Sequence, residues 1–323
     1  MSAPNAVAQV DHDENFRREA REGFKDDIRQ LATPEDKLGL LTSIQSFAFQ
    51  IIRDASRPTS DKQESAQKGL DVLWYMFTET AKVLDKEDAT QDNLITLLLG
   101  TKQFDSFHKM LHPSEASVST WESYGFADHL QEAWENGIVK NTVIQQCNLA
   151  TFSAKALALG ICDDSLGKCA LWYLHEALEN DDDAKALALL PAAVIWIEHA
   201  RHKLFTLSLT NKSYEGSPVF SATSPGQLAQ TANVQQFHFG MDRWLLWRRK
   251  LQKLSHHVEP EVAGQAKKGF MSMIFCGREL GCDVPGEAKF SERLQKTMWE
   301  ELVRSGKESV SGDEIDIKVD WVD

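Results

Sequence analysis

At 323 residues with a formal net charge of −13, the chain has room for a sizeable core and an acidic balance. That balance excludes general binding to nucleic acid or anionic membranes, both of which reward clustered positive charge. Its 42% apolar and 26% charged residues are the proportions of a water-soluble globular protein, and no uncharged apolar run reaches the roughly 18 residues of a membrane span. The first twenty residues lack an apolar segment of signal-peptide length. The five cysteines, Cys147, Cys162, Cys169, Cys276 and Cys282, form no CxxC pair. Free thiols in a reducing compartment, cytoplasm or nucleus, are the expectation.

Residues 1–10 are small and polar and have nothing to bury, so disorder is expected there. A charged helix with Phe16, Phe24, Ile28 and Leu31 as anchors follows over 11–31, and residues 1–32 form an N-terminal arm. Thr33-Pro34 is a helix start, Thr33 as cap and Pro34 in the first turn. That helix carries Leu38, Leu41, Ala48 and Ile52 and ends near Arg57-Pro58. A third carries Leu70, Leu73, Trp74, Phe77, Ala81 and Leu84. A fourth opens at Thr90, runs through Leu94, Leu97, Leu98 and Phe104 to Leu111, and closes at His112-Pro113. Residues 114–135 hold Trp121, Tyr124, Phe126, Leu130 and Trp134 without one period. A further helix follows Gly137 towards Gly160.

The stretch 171–206 organises the rest. Leu171, Leu174 and Leu178 share one helical face, Asn180-Asp181-Asp182-Asp183 stops that helix, and a second carries Leu190, Ala193, Ile197, Ala200 and Leu204. Two apolar stripes around a short polar turn predict an antiparallel hairpin. Residues 208–238, rich in Ser, Thr, Gly and Pro, predict an irregular insertion, passive or a lid. Beyond it lie a seam of Trp244, Trp247, Leu251 and Leu254 and helices near 259–281 and 287–305. The tail 306–323 is acidic, with Ile315, Ile317, Val319 and Trp321 alternating against Asp316, Lys318 and Asp320 as in a strand. Such a tail frays or adds to a partner's sheet edge. The expected fold is all-α: one bundle of about ten helices over 33–305 with the insertion at 208–238.

The Leu73-Trp74 helix, the Thr90-Gln91-Asp92-Asn93-Leu94 run, the Trp121 and Trp134 region, Leu171-Trp172 to Glu179 with Trp196 after it, and Asp242-Arg243-Trp244 through Trp247 resemble a family of all-helical proteins of unknown function from filamentous fungi. The likeness covers roughly residues 65–275 and implies one domain carrying an insertion. It implies no activity and no functional residue.

The residues themselves offer two chemical constellations. His175, Glu176 and Glu179 on one helix and Glu198, His199 and His202 on the next could hold a transition metal. However, His175 to Glu179 misses HExxH at its last position, Arg201 stands where a Glu-x-x-His pattern needs histidine, and His199 falls on the solvent side. Asp181, Asp182 and Asp183 could hold Mg²⁺ for a diphosphate substrate, with Trp74, Trp172 and Trp196 lining an apolar pocket, although caps explain the same run. No P-loop, GxGxxG or GxSxG exists, and the aspartates beside Cys162 oppose a thiolate there. The helix 242–250 is basic and amphipathic; should it face a cleft, Arg243 and Arg248 would hold an anion. With no catalytic set assembled, the expectation is a binding or scaffolding module for a partner protein or a small apolar ligand, without a cofactor. The alternative is a secondary-metabolism enzyme using Mg²⁺ on an apolar, isoprenoid-diphosphate-like substrate.

Overall fold

The computed structural model describes residues 18–31, 33–55, 60–111, 125–126, 129–130, 133–134, 140–181, 184–214, 224–234, 238–318 and 321–322. The expectations for residues 1–10, Phe16, Trp121, Tyr124, Gly137, Asp182, Asp183, Val319 and Asp320, and for the closing His112-Pro113, lie outside them. Among the described residues there is no strand. The helices are α1 (18–29), α2 (Pro34–Ala55), α3 (Ser60–Val83), α4 (Ala89–Leu111), α5 (Val143–Ala158), α6 (Asp163–Leu178), α7 (Ala184–Leu209), α8 (Gln227–Thr231), α9 (Met241–Leu254), α10 (Pro260–Ile274), α11 (Cys276–Glu279) and α12 (Glu287–Ser305). The fold is all-α. The chain divides into two compact units, residues 1–166 and 167–323, the division falling inside α6.

In the first unit α2 packs on α3 and α4, and α3 packs on α5. Thr33 caps α2 as expected: its hydroxyl accepts the Asp36 N–H at 3.2 Å while the Asp36 carboxylate accepts the Thr33 N–H at 2.9 Å. The start of α4 belongs to Asp88 instead of Thr90, since the Asp88 carboxylate accepts the Thr90 N–H at 2.8 Å. At the other end of α3 two buried amides take the carbonyls that a helix terminus leaves over. Gln91 donates to the oxygens of Ala81 and Leu84 at 3.0 and 2.8 Å, and Asn148 donates to that of Lys82 at 3.0 Å. Trp74, Phe77, Phe126 and Phe152 fill the interior edge-on or stacked, the Trp74 and Phe126 rings 5.0 Å apart.

In the second unit α7 is the central element, packed by α9, α10 and α11. Its six residues Ala192 to Ile197 are all buried, so the middle of this helix is covered on every side rather than along the one-sided stripe expected from Leu190, Ala193 and Ile197. Pro191 lies inside it. Gly269 of α10 allows the close approach: a Cβ there would stand 3.1 Å from Val194 and 3.2 Å from Leu251. The tail differs from both expectations. Ile315, Ile317 and Trp321 are buried and Asp316 and Lys318 exposed, so the alternation is real, but its apolar side seats on this unit. Trp321 lies 5.9 Å from the Phe290 ring, and the carbonyls of Ile315 and Lys318 accept from Lys267 and Gln252 at 2.8 and 3.0 Å.

Candidate binding sites

Glu179 follows the last turn of α6, where the acidic run stops the helix. Its carboxylate is fully buried in the second unit. One oxygen accepts the Arg243 Nε–H and the Trp247 indole N–H, both at 2.7 Å; the other accepts the Gly226 N–H at 2.9 Å. The Glu179 carbonyl also accepts the Leu228 N–H, at 2.8 Å. Arg243 is as buried as its partner, its guanidinium 5.7 Å from the Trp247 ring centroid. Two charges can leave water together only when each is matched and hydrogen-bonded, and here three chain segments converge to do so. Gly226 is required by this geometry, because a Cβ there would lie 2.7 Å from both the Cβ and the carbonyl oxygen of Glu179.

The insertion at 208–238 is therefore less irregular than its composition suggests. α7 runs on to Leu209, and α8 docks onto Glu179 through Gly226 and Leu228. Residues 215–223 and 235–237 lie outside the described part.

The metal constellation is not assembled. Among the described residues no three His, Cys, Asp or Glu side chains meet in a way that could hold an ion. Glu179 faces Arg243, whereas Glu176 faces Lys185 at 2.7 Å and the His175 ring at 3.3 Å. His202 is exposed and bonds Glu279 at 2.5 Å, with Arg201 at 3.2 Å on the same oxygen. Glu198 is partly exposed, and Asp181 is exposed. The anion that Arg243 was expected to bind is the chain's own Glu179.

Each candidate tryptophan packs against aromatic neighbours within its own unit. Trp74 belongs to the first unit and is buried among phenylalanines. Trp196 is buried in the second unit with its ring 6.4 Å from Tyr173, and Trp172 is partly exposed and edge-on to the same Tyr173 at 4.9 Å. Arg248 is buried and donates to the Pro285 carbonyl at 2.6 Å. No helix among the described residues is long and apolar enough to cross a membrane.

Glu176 gives a pH signature. The imidazole of His175 and then the ammonium of Lys185 hold its carboxyl down to about 2 from an ordinary 4.5. A depressed acid pKa means the stabilisation is complete above about 4.5 and disappears as pH falls towards about 2. Acid denaturation followed by circular dichroism should therefore show wild type losing up to about 3 kcal/mol relative to Glu176→Gln across that window. Parallel acid curves for the two proteins would contradict the pairing.

A different kind of site lies in the first unit, and sequence reasoning missed it. Leu38, Leu41, Thr42, Gln45 and Phe49 of α2 and Asn93, Thr96, Leu97 and Gly100 of α4 line an open trough of about 330 Å³. Each helix contributes residues at three- and four-residue spacing, so two parallel stripes face one channel. No lining side chain is charged. Phe49 and Phe104 close one end with ring centroids 4.4 Å apart, and the Lys37–Asp88 ion pair ties the helices at the other. Leu38 is 66% exposed on its rim. The signal was present in α2, whose apolar residues outnumber one narrow core stripe, but the partner stripe on α4 is visible only once the two helices are packed.

The family described as "Protein of unknown function (DUF3632)" matches residues 74–251. Glu179, Gly226, Arg243 and Trp247 fall inside that match, while the α2 wall of the trough precedes it. No curated protein and no solved structure matches the chain.

Proposed function

The chain belongs to this family of proteins of unknown function, and we propose that it is a binding module whose α2–α4 trough takes an amphipathic helix of a partner protein. The observation that carries this is the uncharged, two-striped trough itself. A helix laid between two helices presents side chains at the same three- and four-residue spacing, so its apolar face would fill the channel as a third member of the packing. The channel is open along its length, which suits a helix better than a small ligand enclosed on most sides. Binding is preferred over Mg²⁺-dependent chemistry because Glu179, the buried carboxylate that follows α6, already has Arg243, Trp247 and Gly226 as donors. An intracellular location, and the fungal origin implied by the resemblance above, belong to the same proposal.

A synthetic amphipathic helix with leucines at i, i+3, i+4 and i+7, titrated into labelled protein, should give saturable amide shifts confined to residues 38–49 and 93–104. Leu38→Asp sits at an exposed position and should fold normally while weakening binding about tenfold or more. Sedimentation at several concentrations separates a second copy of the chain as the occupant. Saturable shifts elsewhere, or none, would remove the proposal.

A further inference from the structure

We infer that the cavity framed by α1, α3 and residues 129 and 133 is a binding site for a small carboxylate. It lies in the first unit and uses neither helix of the trough. Arg21 of α1, Tyr75, Thr78, Glu79 and Lys82 of α3, and His129 line about 210 Å³. The four α3 residues recur at three- and four-residue spacing, so they share one face of that helix. Phe24, buried and edge-on to the Tyr75 ring at 6.5 Å, holds α1 against this face. The His129 ring nitrogen meets the Asp71 carboxylate at 3.2 Å and fixes the remaining wall.

Most polar groups of the cavity are already matched. The Thr78 hydroxyl donates to the Trp74 carbonyl at 2.7 Å, and the Lys82 ammonium faces Glu79 at 2.6 Å. Two donors remain. The Tyr75 hydroxyl and the Arg21 Nε are both closed off from water, and neither has a hydrogen-bond partner among the described residues. They belong to one stacked pair, since the Arg21 guanidinium carbon lies 5.0 Å from the centre of the Tyr75 ring. A buried donor without an acceptor has given up its bonds to water and gained nothing in return. A carboxylate carries two acceptor oxygens and the charge opposite to that of Arg21, so one group meets both needs. Burial, and then the charge of Glu79, push the Tyr75 phenol from 10 up to about 12, so at neutral pH it keeps its proton and donates. Arg21 is partly exposed and carries its donor on a long side chain, so a small shift of that side chain admits the ligand. The Tyr75 ring and Ala133 give a short hydrocarbon stem an apolar wall.

The test titrates butyrate and butyramide into the full chain, with calorimetry and amide shifts as readouts. Butyrate is expected to bind saturably, with shifts at Tyr75, Thr78 and His129, and about tenfold or more tighter than butyramide, which has the same carbons without the charge. Tyr75→Phe removes the hydroxyl alone. It should keep or raise the melting temperature of the unliganded protein, because an unmet donor is lost, while weakening butyrate binding about tenfold. Arg21→Gln, checked for folding by circular dichroism, should abolish the preference for butyrate over butyramide. Absence of saturation with butyrate, equal binding of butyramide by wild type, or wild-type affinity in Tyr75→Phe overturns the assignment. So does a lowered melting temperature for unliganded Tyr75→Phe, which would mean that the hydroxyl has a partner of its own.

Discussion

Glu179→Ala should destabilise the second unit by about 3–5 kcal/mol, because it leaves the Arg243 guanidinium buried without its counter-charge. The number follows from the burial of both partners and from the three donors that converge on one carboxylate. An unpaired buried cation must draw in water or push its helix outward, and either route disrupts the docking of α8. Glu179→Gln keeps one acceptor oxygen, enough for the Trp247 or the Gly226 donor but not both, and loses the charge, so it should fall between wild type and alanine. Replacing Glu179 and Arg243 together with methionine should cost much less than the sum of the single changes, since well-packed apolar residues replace a buried ion pair at little net cost. Urea unfolding of wild type, Glu179→Met, Arg243→Met and the double methionine variant measures this cycle. A loss below about 1 kcal/mol for Glu179→Ala would mean that Arg243 is solvated.

Trp74→Ala should cost about 3–5 kcal/mol in the first unit, the ordinary penalty for removing a fully enclosed indole. Its ring contacts Phe77 and Phe126, so a cavity would open in the aromatic interior rather than at a surface. A residue lining a ligand pocket would behave differently, since truncation there enlarges a space that water already enters. Thermal unfolding read by near-ultraviolet circular dichroism distinguishes the two. A change in melting temperature within experimental scatter would restore Trp74 as a lining residue.

These two residues show how far local pattern reaches. Trp74 repeats with Leu70, Leu73, Phe77 and Ala81 at helical spacing, and that periodicity alone says that it is covered. It does not say by what: Phe126 and Phe152 come from segments with quite different local patterns. Glu179 is harder. In the sequence it is one more acid ahead of an Asn-Asp run, indistinguishable from Glu176 four positions from the same stop. Only packing reveals that one carboxylate faces an exposed lysine and the other is sealed against an arginine 64 residues later. The polar composition of 208–238 likewise concealed a fixed anchor, because one glycine and two main-chain N–H groups leave no apolar signature.

The sequence by itself determined the helical class, the start of α2 at Thr33-Pro34, the stop of α6 ahead of the Asn180-Asp181 run, and the alternation in the tail, all of which depend on interactions within a few residues. Tertiary structure decided which apolar face became interior and which became the trough, which acid was buried, and where the tail's isoleucines went. Those outcomes depend on which segments meet, and a local period states only that a face must be covered.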